Sequence, residues 1–245
     1  MHDNEEIERY VKAAKESGIG PNFIHAAYLI NLGAADPEHL QKSIDWLVYA
    51  MNLAANLGSR GVILHSGSHK GAGFEAVLPQ IADSLQKVLR QTDHKPSTPN
   101  QPPFLILETA AGAGGSIGRS FSELGQILKT VNDQRLRICL DSAHVFAAGY
   151  ELRTLPGVES MLEEFEQEIG LNNLVAIHAN DSRVDFKSGR DRHENIGEGF
   201  IGRTGFANLI NHPKLKELPF ILEVPGFSGS GPDQNNIQLL KSLIR

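Results

Sequence analysis

The 245-residue chain is 40% hydrophobic and 21% charged, with a net charge of −6 and one cysteine among 24 glycines and 12 prolines. That is enough apolar material for one large core, while a single cysteine excludes a disulfide scaffold and any paired-cysteine zinc site. No apolar stretch approaches the roughly 18 residues of a membrane span. The opening MHDNEEIERY is acidic where a secretory leader is basic and then apolar, so a cytoplasmic protein without membrane contacts is expected.

In chain order, a helix from Ile7 to Gly18 precedes the first apolar run, Phe23-Ile24. Asp36-Pro37-Glu38 reads as an N-cap with proline at the first helical position. It opens a stripe of Leu40, Ile44, Leu47, Met51, Ala54 and Leu57 that Gly58 closes. The second run, Val62-Ile63-Leu64, is followed by a helical stripe from Phe74 through Val77, Ile81 and Leu85 to Leu89. A Pro-rich stretch at 94–103, HKPSTPNQPP, reads as a surface loop before the third run, Phe104 to Leu107. Ser120 and Glu123 spell a capping box for a helix through Leu124, Ile127, Leu128 and Val131. The fourth run, Ile138-Cys139-Leu140, leads to a helix carrying Val158, Met161, Leu162, Phe165 and Ile169. Leu174 to Ile177 is the fifth run, and a helix with Phe206, Leu209 and Ile210 separates it from the sixth, Phe220-Ile221-Leu222. A last stripe holds Ile237, Leu240 and Leu243.

Runs this apolar suit parallel strands buried on both faces. Strand and helix alternating to the end, without a GxGxxG turn, favour a TIM-type (β/α) barrel in the α/β class, with residues 1–245 as one domain. A complete barrel has eight strands and six are legible, so the first two βα units are expected to be missing.

Catalytic groups in such barrels project from the carboxyl ends of the strands. Each of the six runs ends in a potential metal ligand: His25, His65, Glu108, Asp141 with His144 three residues on, His178 and Glu223. Alone, a strand-end histidine is more often a hydrogen-bonded structural residue; six on one rim reverse that expectation. In Ser188-Gly189-Arg190-Asp191-Arg192-His193, an extended backbone sends Asp191 and His193 to one side and Arg190 and Arg192 to the other. Five histidines and four carboxylates exceed the needs of one ion and imply two or three, with a bridging carboxylate. The donors suit zinc or manganese, and ions a few Å apart suit phosphoryl hydrolysis. The acidic balance argues against a nucleic-acid partner, but three divalent ions would cancel the formal −6.

At these residues the chain resembles the endonuclease IV (deoxyribonuclease IV) family of DNA-repair enzymes. The resemblance rests on HAAYLINLG (25–33), ILHSGSH (63–69), LETAAGAGGSIG (107–118), CLDSAHVFAAGYEL (139–152), IHANDSR (177–183), SGRDRHENIGEGFIG (188–202) and LEVPG (222–226). It implies a (β/α)₈ barrel with three zinc ions, manganese being an option at one. The implied activity cleaves double-stranded DNA 5′ to abasic sites, leaving a 3′-hydroxyl and a 5′-deoxyribose phosphate, and trims blocked 3′ ends. Carried over, His25, His65 and Glu108 would hold one ion. Glu108 would bridge to a second held by Asp141, His178 and Glu223, and His144, Asp191 and His193 would hold the third. The implied chemistry is metal-assisted in-line hydrolysis, with Glu108 positioning the attacking hydroxide and Glu223 sharing its proton. Tyr28 and Leu29 match the family's minor-groove wedge, and Arg183, Arg190 and Arg192 would contact phosphates. Ala26, Ala179 and Val224 depart from the motifs without removing a ligand. His2, His39, His69, His94 and His212 match no ligand position. A monomer is expected. Two other readings compete: a metal-dependent sugar isomerase or epimerase on the related barrel, which has no need of Asp191 and His193 beside His144, and a truncated, non-catalytic remnant.

Overall fold

A computed structural model describes residues 4–27, 29–92 and 102–245. All six apolar runs become strands: β1 (Phe23–His25), β2 (Gly61–Leu64), β3 (Phe104–Glu108), β4 (Leu136–Asp141), β5 (Leu174–His178) and β8 (Phe220–Ile221). They form one parallel sheet in the order β1-β2-β3-β4-β5-β8. Two further strands of two residues each, β6 (Asp181–Ser182) and β7 (His193–Glu194), pair antiparallel beside it. Tyr28 and most of the Pro-rich loop lie outside the described residues.

Alternation along the strands separates two cores. Val62, Leu64, Leu105, Leu107, Ile138 and Leu140 face outward into the large core shared with the helices. Ile63, Ile106, Cys139 and Ala176 face inward as a second cluster. Phe23 and Ile221, from the two edge strands, pack on that same inner cluster. Opposite edges of a sheet reach one cluster only if the sheet curls, so this is a partial TIM barrel, with six parallel strands among the described residues and β1 and β8 at its edges.

The helices follow their stripes. They are α1 (Asn4–Ser17), α2 (Pro37–Leu57), α3 (Phe74–Gln91), α4 (Phe121–Val131), α5 (Ser142–Ala148), α6 (Leu155–Glu168), α7 (Gly202–Ile210) and α8 (Gln234–Ser242). Asp36 caps α2 by accepting from Glu38 N, and Gly58 ends it at φ 66°. The Ser120–Glu123 box closes on one side only. Ser120 Oγ accepts from Glu123 N, but the Glu123 carboxylate turns to Gly118 N and Arg119 N, 2.8 and 3.2 Å away, instead of Ser120 N. In α8, Leu240 is buried while Ile237 is 38% exposed, so the last stripe is narrower than its spacing predicts. No described helix is long and apolar enough to cross a membrane.

Candidate metal centre

The period-two geometry that builds the inner core also builds the site. Each of the six strand-end donors lies two residues beyond an inward-facing plug residue, and so on the same face one layer higher. The pairs are Phe23 and His25, Ile63 and His65, Ile106 and Glu108, Cys139 and Asp141, Ala176 and His178, Ile221 and Glu223. The plug forms an apolar floor; the donors line the mouth above it.

Glu108, fully buried, is the centre of the array. Its Oε2 stands 3.0 Å from His25 Nε2 and 3.5 Å from His65 Nε2. Its Oε1 stands 2.9 Å from His178 Nδ1 and 3.4 Å from His144 Nδ1. His178 Nδ1 also lies 3.2 Å from Glu223 Oε2 and 3.9 Å from Asp141 Oδ2. On the other flank His144 Nε2 is 3.1 Å from Asp191 Oδ2 and 3.4 Å from His193 Nε2. His193 Nε2 reaches Asp191 Oδ1 at 3.3 Å and Asp141 Oδ2 at 3.6 Å. All nine candidate donors thus meet at one mouth. Eight of the nine fall into three groups within 4.8 Å, namely His25, Glu108, His178 and Glu223; His65, Glu108 and His144; and Asp141, His144 and His193, with Asp191 approaching the third through His144 and His193. These groups cut across the partition that the resemblance implies: His25 falls with His178 and Glu223 rather than with His65, and Asp141 falls with His144 and His193.

Backbone carbonyls aim several of the rings. Nδ1 of His25, His144 and His193 donates to the carbonyls of Ala26, Thr109 and Glu223, at 2.9, 2.9 and 3.3 Å. In each case Nε2 is left facing the cluster, the arrangement that fixes a ligand's tautomer. Asp141 is held as firmly. Its Oδ1 caps α5 by accepting from His144 N at 2.8 Å, its Oδ2 accepts from Asn180 Nδ2 at 2.6 Å, and its own N–H donates to Thr109 Oγ1. Asn180 Oδ1 in turn accepts from Glu223 N. Thr109, Asn180 and Ser142, whose Oγ donates to the Asn180 carbonyl at 2.7 Å, are not singled out by the strand-end pattern, although each stands one or two residues past a strand-end donor. Polar residues in ETAA, DSAH and HAND were the available signal.

Burial opposes ionisation of Glu108, yet His178 and His65 lead the surrounding imidazoles in holding its carboxyl well below the usual carboxylate range. Burial also opposes protonation of His144, but Asp141, Asp191 and Glu108 raise it well above an ordinary imidazole. Carboxylates that draw protons onto their neighbours in this way would equally favour a divalent cation, which displaces those protons on binding. Five imidazoles and four carboxylates fit zinc or manganese better than magnesium. Cys139 is not a competing thiolate, since burial pushes its thiol up to about 11.

The remaining residues sit around the mouth. Leu29 is exposed, as are Arg190 and Arg192, while Asp191 and His193 turn inward as the extended-loop alternation requires. The Arg183 side chain is 74% exposed, 3.9 Å from Glu194 Oε2. Away from the cluster, His69 Nδ1 accepts from Gly71 N and Gly73 N, and His212 Nδ1 accepts from Lys214 N. A cavity of about 410 Å³ opens beside the array, its lining including Leu29, His39, His65, Lys70, His144 and Asp191.

Comparison with known proteins places this geometry. A family profile described as a xylose isomerase-like TIM barrel matches residues 2–244. A probable endonuclease 4 from Halothermothrix orenii is 39% identical over 237 residues, which is 96% of this chain and 83% of that protein. The crystal structure of endonuclease IV from Thermus thermophilus superposes with a TM-score of 0.84 at 30% identity, covering 99% of this chain and 82% of that one. A D-tagatose 3-epimerase-like protein shares the fold, with a TM-score of 0.74 at 17% identity over 98% of this chain and 83% of its own.

Proposed function

The chain belongs to the endonuclease IV family of xylose isomerase-like TIM barrels, a family of DNA-cleaving hydrolases, and from that premise we propose that it is a zinc-dependent endonuclease of abasic DNA. On this reading it hydrolyses the phosphodiester 5′ to an abasic site, leaving a 3′-hydroxyl and a 5′-deoxyribose phosphate, and trims blocked 3′ ends. One observation carries it: Asp191 and His193 stand 3.1 and 3.4 Å from His144, outside the group formed by His25, Glu108, His178 and Glu223. A sugar isomerase on this barrel needs one or two cations and has no use for that further set.

The residues divide the work. Glu108, His25 and His65 would hold one cation, Glu108, Asp141, His178 and Glu223 a second, and His144, Asp191 and His193 a third. Bound there, the ions would acidify a water and neutralise charge on the departing 3′-oxygen. Glu108, pinned between four imidazoles, keeps its carboxylate ionised and fixed in direction. Glu223 is one-third exposed, with Oε2 only 3.2 Å from His178, and would take a proton from the attacking water. Exposed Arg183, Arg190 and Arg192 offer charge to the DNA backbone, and Leu29 offers an apolar edge to the minor groove, with Tyr28 beside it in sequence. The acidic net charge is no obstacle, since three divalent ions would cancel it at the mouth where the phosphate binds.

The purified chain is expected to carry about three zinc ions and to nick an abasic duplex without added magnesium. Elemental analysis and a gel assay of a labelled abasic oligonucleotide check this. One ion or none, or an absolute need for magnesium, would refute the assignment.

A further inference from the structure

Leu29 is the most exposed large apolar side chain among the described residues, at 81%. Its turn is anchored on both flanks by strand ends: Ala26 N donates to Ile63 O at 2.7 Å, and Leu32 N to Ser66 O at 3.2 Å. Between these anchors, one face of α2 holds the tip. His39 Nε2 donates to the Leu29 carbonyl at 2.8 Å, and Ser43, one helical turn later, accepts from Asn31 N at 3.2 Å. Ser43 Oγ also donates to the His39 carbonyl, so the two clamps are linked. The helix they stand on is capped by Asp36 and buried through Ile44 and Leu47. Leu29, Asn31 and His39 line the same cavity as His65, His144 and Asp191.

We propose that His39 is a positioning residue that sets the Leu29 turn at the cavity mouth and so governs the grip on duplex DNA rather than the chemical step. This rests on the endonuclease reading above. The His39 ring spends its Nε2 on the Leu29 carbonyl and belongs to none of the three donor groups, so it acts through the backbone of the turn.

The test compares wild type, His39→Ala and His39→Gln, since a glutamine amide can reach the same carbonyl. His39→Ala is expected to speed amide hydrogen exchange in residues 29–32 while the rest of α2 keeps its protection. For an abasic duplex, KM should rise about five- to tenfold, the scale of one lost hydrogen bond, with kcat and zinc content within twofold. His39→Gln should restore both readouts, and in a Leu29→Ala background His39→Ala should add nothing. The proposal is overturned by unchanged exchange, by an unchanged KM, or by the same KM increment in the Leu29→Ala background. A wild-type chain that nicks no abasic duplex would sink the endonuclease reading instead. The exchange comparison would then decide alone whether His39 holds the turn.

Discussion

At the scale of single residues, His144 joins the two halves of the donor array. Its Nδ1 donates to the Thr109 carbonyl and lies 3.4 Å from Glu108, while Nε2 faces Asp191 and His193. Truncating it strips one member from two groups of donors and leaves Asp141 and Asp191 with one imidazole fewer between them. His144→Ala is therefore expected to lower single-turnover nicking by more than the ~10²-fold typical of groups that merely orient a ligand, and to cost about one zinc per chain. Nicking at the wild-type rate would contradict the three-ion arrangement. The strand-end donors were readable because each ends an apolar run, His144 because it follows Asp141 by three residues, and Asp191 and His193 because alternation in an extended loop sorts them from Arg190 and Arg192. What aims them was not readable: the carbonyls of Ala26, Thr109 and Glu223 are backbone atoms that every residue possesses. Only the fold decides which carbonyl meets which ring.

Elements show the same division. The six parallel strands were legible because burial on both faces makes them continuously apolar, and α2, α3, α4 and α6 because their stripes repeat at helical spacing. Helix α5 was not, since it opens directly at the end of β4 with Asp141 serving as both candidate ligand and N-cap, and it is buried almost throughout. Nor was the β6–β7 hairpin, whose two-residue strands are too short to show any period. This hairpin carries His193 and is secured by Asp181, whose carboxylate accepts from Gly197 N, Gly199 N, Ile201 N and Gly202 N. Gathering four amides around one carboxylate forces the loop close. A Cβ at Gly199 would stand 2.5 Å from both Asp181 Oδ1 and Ser182 O. Gly199→Ala is thus expected to destabilise the fold by about 1–3 kcal/mol and to loosen the segment that carries His193. Urea unfolding of the two proteins at equal metal content measures the first effect. The zinc affinity of the weakest site measures the second, and a neutral outcome in both would show that the loop has room to move.

Across the whole molecule, the donors span residues 25 to 223 and draw on every strand of the parallel sheet plus the hairpin. Cations at the mouth would therefore tie the edge strands β1 and β8, through His25 and Glu223, to the same centre. The number of strands and their order along the chain follow from the spacing of the apolar runs; the curl that brings β1 and β8 over one floor does not, because it depends on which inward residues pack together. If ions complete that centre, their removal is felt as a loss of global stability. Four carboxylates would lose their counter-charges, and the folded state alone gathers the ligands. One site occupied at a hundred times its Kd contributes ~2.7 kcal/mol, and at this chain length each kcal/mol moves the melting temperature by roughly 2–4 °C. Chelation is accordingly expected to lower Tm by about 5–10 °C for each tightly held ion, with recovery when zinc is restored but not with magnesium. Scanning calorimetry at fixed protein concentration, before and after chelation, reads this directly. A Tm that ignores the chelator while zinc is demonstrably removed would mean that the nine side chains hold their places without any cation among them.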